Sequence, residues 1–195
     1  DGIKQLNPRW GIDTPAIPYL GYGQAAELSM HGTPVIHPAT VFPLIEEGIP
    51  IEIKNFHNRD STASTVIGPD IATDEVIAIG CQPGVVIITN DKPLSSDLLM
   101  EIERLGITPW LMKSTPDGFK IILPKHDLHH LENIIPGKIE FKTAIISILG
   151  MPDIGIEHEL VSTNEYGTRI IVETDQLHET IRELYHSLFS RQDCK

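Results

Sequence analysis

Apolar residues recur along this chain first on a helical period and then on a period of two. Between Tyr22 and His31, Ala25, Ala26 and Leu28 follow a helical spacing that stops at Gly32, a residue suited to the C′ position. Val35-Ile36 reads as a short strand leading into His37-Pro38, and Pro38 opens a second helix through about Glu47, closed by Gly48. Ile49, Ile51 and Ile53 alternate with Pro50, Glu52 and Lys54, which predicts a strand. After a polar loop from Asn58 to Ser64, a second strand is expected over Thr65 to Ile67. Residues 1–21 hold Pro8, Pro15 and Pro18 together with Gly2, Gly11 and Gly21, and predict a loop that approaches a ligand or packs as an irregular cover. Helices alternating with strands point to the edge of an α/β sandwich.

Asp70 to Glu75 is acidic and aperiodic, and a domain boundary is expected there, giving residues 1–70 and 71–195. Beyond it the pattern predicts strands at 76–80 and 85–89 and a helix at 95–105. Leu98, Leu99, Ile102 and Leu105 line one face of that helix, Ser95 or Ser96 caps it and Gly106 ends it. Strands at 107–113 and 119–123, a short helix from Asp127 to Ile135 and a strand at 139–148 complete a βαββαβ, ferredoxin-like order. A second pass follows, with strands at 141–149, 156–162 and 167–173. It closes with a helix at 175–189, where Leu177, Ile181, Leu184 and Leu188 share a face and Asp175 is a plausible cap. Only a loop, MPDIG, fits between the first two of these strands, so the second unit is a shortened one.

Composition narrows the class of protein. Of 195 residues, 41% are hydrophobic and 22% charged, ordinary for a globular chain. No apolar run approaches the roughly 20 residues that span a bilayer, and no signal-peptide pattern is present. A net charge of −12 without blocks of Lys or Arg argues against nucleic acid and anionic lipid as partners. Cys81 and Cys194 lie far apart without CxxC spacing, which suits a reducing cytoplasm better than a disulfide framework or a zinc site. The chain begins at Asp1 within what reads as a motif, and a fragment of a longer protein is expected.

Several segments in order carry a resemblance. Asp1-Gly2-Ile3 with Asn7-Pro8-Arg9 resembles DGVYTxDPR, and Tyr22 to Pro38, YGQAAELSMHGTPVIHP, resembles YxEAxELxxxGAKVLHP. Ile49-Pro50 with Lys54-Asn55 resembles IPIxVKNT, and Ser64-Thr65 resembles a GT before a strand. These are motifs of the aspartokinases, and two ferredoxin-like units in tandem resemble the paired ACT domains with which that family senses amino acids. The implied fold is α/β: a C-terminal piece of the amino-acid-kinase αβα sandwich followed by ACT domains. The implied parent activity is ATP-dependent phosphorylation of the aspartate side-chain carboxylate, at the head of lysine, threonine and methionine biosynthesis.

The resemblance places Asp1 and Arg9 beside ATP, with Mg serving the parent enzyme. Arginine presents a planar fork of donors that suits phosphate oxygens. Lys4 stands where the family has a tyrosine flanking the adenine, Pro34 where it has a lysine, and Ser64 where it has a glycine. The family's phosphoryl-transfer segments, a KFGGT-type start and an acidic residue in a glycine-rich loop, are not in this sequence, so no residue is assigned a catalytic role. In the ACT part the resemblance places an amino-acid effector at Asn90, Asp91 and Ser95, where the N-terminus of a helix attracts a carboxylate. The family's GFL reads Pro93-Leu94-Ser95, and the aspartate expected to pair with an effector amine aligns with Trp110. ACT units also imply self-association as a homodimer.

Other residues take plainer readings. His126, Asp127, His129 and His130 suggest a metal cluster, but Leu128 and Leu131 compete for the core side and Asp127 is a natural N-cap, so no metal site is assigned. His37 reads as a helix-start residue, Glu46 and Glu47 as a solvated helix end, and Met100 and Met112 as core. The residues leave open a part of an aspartokinase inactive by itself, a stand-alone amino-acid-binding regulatory module with a vestigial kinase segment, and an oligomerising partner without ligand.

Overall fold

The computed structural model describes residues 2–30, 36, 38–57, 63–71, 75–150 and 159–189. Two compact units divide the chain. The first comprises residues 1–82, 145–172 and 176–195, and the second residues 83–144 and 173–175. Both are mixed α/β.

In the first unit, β1 (Tyr19–Gly21) runs parallel to β3 (Thr65–Gly68), and β2 (Ile51–Ile53) pairs antiparallel on the other side of β3. Helix α1 (Tyr22–Met30) starts directly from β1, and α2 (Pro38–Glu47) follows. Tyr22, Ala25 and Leu28 fall on one face of α1 and pack with Ile3, Ile17, Leu20 and Ile67 in a common core. Pro43 lies inside α2, where it removes one backbone donor, and Glu46 and Glu47 are exposed at the end of that helix.

The segment expected to be a loop is held more closely than its prolines suggest. Lys4 bridges Ala16, Ile17 N–H donates to the Ile3 carbonyl at 2.7 Å, and a 3-10 turn covers Pro8–Trp10 with its N-cap on the Asn7 side chain. Strand β1 falls within this expected loop. Its three residues carry no alternation that a sequence pattern could detect; pairing with β3 makes it a strand.

The second unit is built on residues 83–90 of β4 (Ala78–Asn90), α3 (Ser96–Arg104), β5 (Leu111–Thr115), β6 (Gly118–Pro124), α4 (Leu128–Leu131) and residues 138–144 of β7 (Lys138–Leu149). Its strand order, β5-β6-β4-β7, with β4 and β5 antiparallel to β6, is the ferredoxin-like arrangement. Val86 and Ile88 of β4, Ile121 and Leu123 of β6, Leu98 and Ile102 of α3 and Leu128 and Leu131 of α4 form its core. Strand β9 (Gly167–Glu173) lies between β7 and β8 (Glu159–Asn164), and α5 (Leu177–Phe189) follows, burying Leu177, Ile181 and Leu184.

Several expectations are corrected. The strands expected at 76–80 and 85–89 are one strand, β4, which continues through Gly84 at φ 73°; a left-handed residue inside a strand costs glycine little. The strand expected from 107 begins only at Leu111, because Ile107 N–H still bonds the Ile102 carbonyl of α3. The helix expected over 127–135 is a 3-10 turn, Lys125–Asp127, followed by one α-helical turn. Met100 and Met112 are not core: they are 61% and 44% exposed, because Met100 lies on the outer side of α3 and Met112 on the strand at the sheet edge. Gly32, Pro34, Val35, His37 and the MPDIG loop lie outside the described residues.

Candidate functional site

The second unit contains a cavity of about 630 Å³ at the N-terminus of α3. Asn90, Asp91, Lys92, Pro93 and Ser95 from the β4–α3 loop line it, with Asp97, Leu98 and Glu101 from α3, Phe119 from β6, and Ile134 and Pro136 ahead of β7. The structure therefore brings together all three residues expected to hold an effector.

Their roles differ. The Asn90 side chain is used on both sides: Nδ2 donates to the Pro136 carbonyl at 2.8 Å, and Oδ1 accepts the Lys92 N–H at 2.8 Å. Asn90 thus shapes the loop and ties it to the start of β7. Gly118 lies against this point, since a Cβ there would sit 2.2 Å from the Asn90 carbonyl oxygen. Ser95 is the N-cap, its Oγ accepting the Leu98 N–H at 3.3 Å, and Leu94 N–H donates to Ser114 Oγ at 2.9 Å. Asp91 is exposed on the rim. Sequence reasoning did not single out Lys92, Asp97 and Glu101, although i, i+4 spacing puts the two acids on one side of α3. Glu101 pairs with Arg104, with Arg104 Nε 2.8 Å from Oε2, and that hydrogen bond holds its carboxyl below the usual range. The cavity therefore offers the α3 dipole, Lys92 and the carboxylates of Asp91 and Asp97 around an apolar floor. Such a site suits a small zwitterion with an apolar or cationic side chain.

The expected nucleotide contacts belong to the first unit. Asp1 lies outside the described residues. Arg9 is exposed, yet its Nη2 donates to the Cys81 carbonyl at 2.8 Å and its guanidinium carbon stands 5.0 Å from the centre of the Trp10 ring. A guanidinium has five N–H donors, and the Cys81 carbonyl takes one of them. Lys4, at the place of the family's adenine-flanking tyrosine, pairs with Asp13 at 3.5 Å. Ser64 sits beside Glu52, whose carboxyl is lowered by hydrogen bonds from Lys54 and then Ser64. Thr65 is fully buried; its Oγ1 accepts the Ile3 N–H at 2.7 Å and donates to the Ile17 carbonyl at 2.6 Å. Gly2 is packed against it, as a Cβ there would lie 2.4 Å from that oxygen.

No group of His, Cys, Asp and Glu among the described residues is arranged to hold a metal ion. The His129 and His130 rings lie 3.7 Å apart between centroids, tilted by 41°, His129 Nδ1 meets the His126 carbonyl at 2.5 Å, and both residues are exposed.

Comparison with known proteins places this geometry among relatives. No family model matches the chain. Aspartokinase 1, chloroplastic, of Arabidopsis thaliana is 36% identical over 173 residues, covering 77% of this chain and 30% of the relative. Among solved structures, Clostridium acetobutylicum aspartate kinase superposes with a TM-score of 0.79 at 22% identity, over 96% of this chain and 52% of that one. E. coli aspartokinase III in complex with aspartate and ADP (R-state) gives a TM-score of 0.77 at 16% identity, over 96% and 50%. The same enzyme in complex with lysine and aspartate (T-state) gives 0.71 at 17% identity, over 96% and 50%. The chain thus spans about half or less of the length of these proteins.

Proposed function

Since the chain is homologous to the aspartokinases, we propose that it is the nucleotide-side and regulatory part of one, with residues 1–70 closing the kinase domain and residues 71–195 forming tandem ACT-like domains. In this reading the parent enzyme transfers a phosphoryl group from ATP, with Mg, to the side-chain carboxylate of aspartate, the entry to lysine, threonine and methionine biosynthesis in the cytoplasm. Phosphoryl transfer depends on positioning and charge stabilisation. Arg9 and Asp1 contribute to the nucleotide wall, while the groups that act on the transferred phosphoryl lie on residues this sequence does not include. Residues 1–195 are therefore inactive by themselves, and self-association of the ACT-like domains makes a homodimer.

The observation that carries the regulatory half is the α3 cavity. It joins Asn90, Asp91 and Ser95 around a capped helix N-terminus, a place where unpaired N–H groups favour the carboxylate of an amino acid. Asp91 and Asp97 supply the negative charge that Trp110 cannot. Lysine is bound by one structural neighbour and heads the panel of effectors to test. A ligand at 100 times its dissociation constant stabilises the fold by about 2.7 kcal/mol. Thermal unfolding with lysine, threonine or methionine should register that shift, and a flat response to all three would end the sensing claim.

A second reading, a stand-alone regulatory module with a vestigial kinase segment, is favoured by Arg9. Its guanidinium is engaged with the Cys81 carbonyl and the Trp10 face. ATP titration followed by Trp fluorescence separates the two: a saturable change abolished in Arg9→Ala supports the nucleotide wall, and no change supports the module.

A further inference from the structure

We propose that the β8–β9 hairpin holds helix α1 in register through a buried Glu27–Arg169 pair, so that hairpin and helix open and close as one body. That α1 belongs to a nucleotide wall rests on the function proposed above.

Glu27 and Arg169 are 142 positions apart, and their side chains are only 6% and 15% exposed. Arg169 Nε donates to Glu27 Oε1 at 2.6 Å, Nη2 reaches the same carboxylate, and Nη1 donates to Ser162 Oγ at 3.3 Å. The guanidinium therefore spans β9, β8 and α1. The hairpin tip is packed on the same helix. A Cβ at Gly23 would lie 2.2 Å from Tyr166 Cζ, so the ring occupies the space a side chain would need. The tip is itself firm: Asn164 Oδ1 accepts the N–H groups of Tyr166 and Gly167, each at 3.0 Å, and Gly150 N–H donates to the Tyr166 carbonyl at 2.9 Å. Asp70, just beyond β3, completes the junction, its Oδ1 accepting the Gly23 N–H at 2.9 Å in the first turn of α1.

A buried ion pair adds little stability over an apolar contact, but separating its members is costly because each becomes an uncompensated buried charge. An apolar contact tolerates a small slide; this pair admits one register or an open state. Displacing the hairpin therefore releases α1 as a step rather than by degrees.

Hydrogen exchange followed by mass spectrometry on the whole chain tests the coupling. Arg169→Met removes the cation beside buried Glu27 of α1 and should raise exchange about tenfold or more in both the hairpin and the amides of α1, with β5 and β6 unchanged. Tyr166→Ala, which leaves both charges in place, should do the same to a smaller extent and serves if Arg169→Met does not fold. Faster exchange confined to the hairpin in either variant overturns the proposal. The readout needs no ligand: joint opening in a chain that binds no ATP sustains the coupling and counts against the nucleotide wall alone.

Discussion

Thr65 has no exposed surface, and its hydroxyl serves two backbone groups of a segment with little regular structure of its own. Thr65→Val keeps the shape and strands the Ile3 N–H and the Ile17 carbonyl in the core. At about 1–3 kcal/mol for each of the two buried unsatisfied groups, a loss of about 2–6 kcal/mol in urea unfolding is expected, and a loss below about 0.5 kcal/mol would refute the clamp. Cys81 makes a prediction in pH. Burial pushes its thiol up to about 12 from 9.0, against a smaller lowering by Arg9. The unfolded thiol therefore ionises first, and the unfolded state binds fewer protons as pH rises. Stability contributed by this group is complete below about pH 9 and is lost between about pH 9 and 12, by up to about 4 kcal/mol. Denaturant unfolding at about pH 8 and about pH 10.5 should show a steeper decline for the wild-type chain than for Cys81→Ala.

Helix α3 shows which features of an element can be read before its neighbours are known. Ser95, the apolar residues Leu98 and Ile102, and Gly106 with its φ of 67° act locally, and each was legible in the sequence. Ser95→Ala should cost about 1 kcal/mol of stability and, in the proposed reading, weaken amino-acid binding as well. Leu99 and Met100 carry the opposite lesson, at 39% and 61% exposed. Their hydrophobicity marks them as core, but the sheet covers only one side of the helix. Met100→Lys is expected to change stability by less than about 0.5 kcal/mol; a loss of 2 kcal/mol or more would restore it to the core. Strands β1 and β5 were missed or overdrawn because a short edge strand depends on its partner's backbone, which a sequence pattern does not display.

At the scale of the whole molecule, a net charge of −12 spread over 195 residues sets a repulsive background. Raising ionic strength from about 0.01 to about 0.15 M shortens the screening length from about 30 to about 8 Å, so the midpoint of thermal unfolding should rise. A midpoint that falls would mean that attractive pairs such as Lys4–Asp13 and Lys54–Glu52 outweigh the repulsion. No helix among the described residues is long and apolar enough to cross a membrane.

What the sequence determined by itself is local and periodic: helices over about 22–31, 95–105 and 175–189, a cap at Ser95 or Ser96, the ferredoxin-like order of elements, and the motifs that point to aspartokinases. These follow from side-chain spacing and backbone preference within a few residues. The tertiary structure alone decided that Asn90 is a brace between the β4–α3 loop and Pro136, that Asp97 and Glu101 join its cavity, and that Arg9 reaches the Cys81 carbonyl. It also decided that Glu27 finds Arg169 at a separation of 142 residues. A hydrogen bond or an ion pair acts over a few ångströms of space, and no periodicity along a chain records which distant residues folding brings within that range.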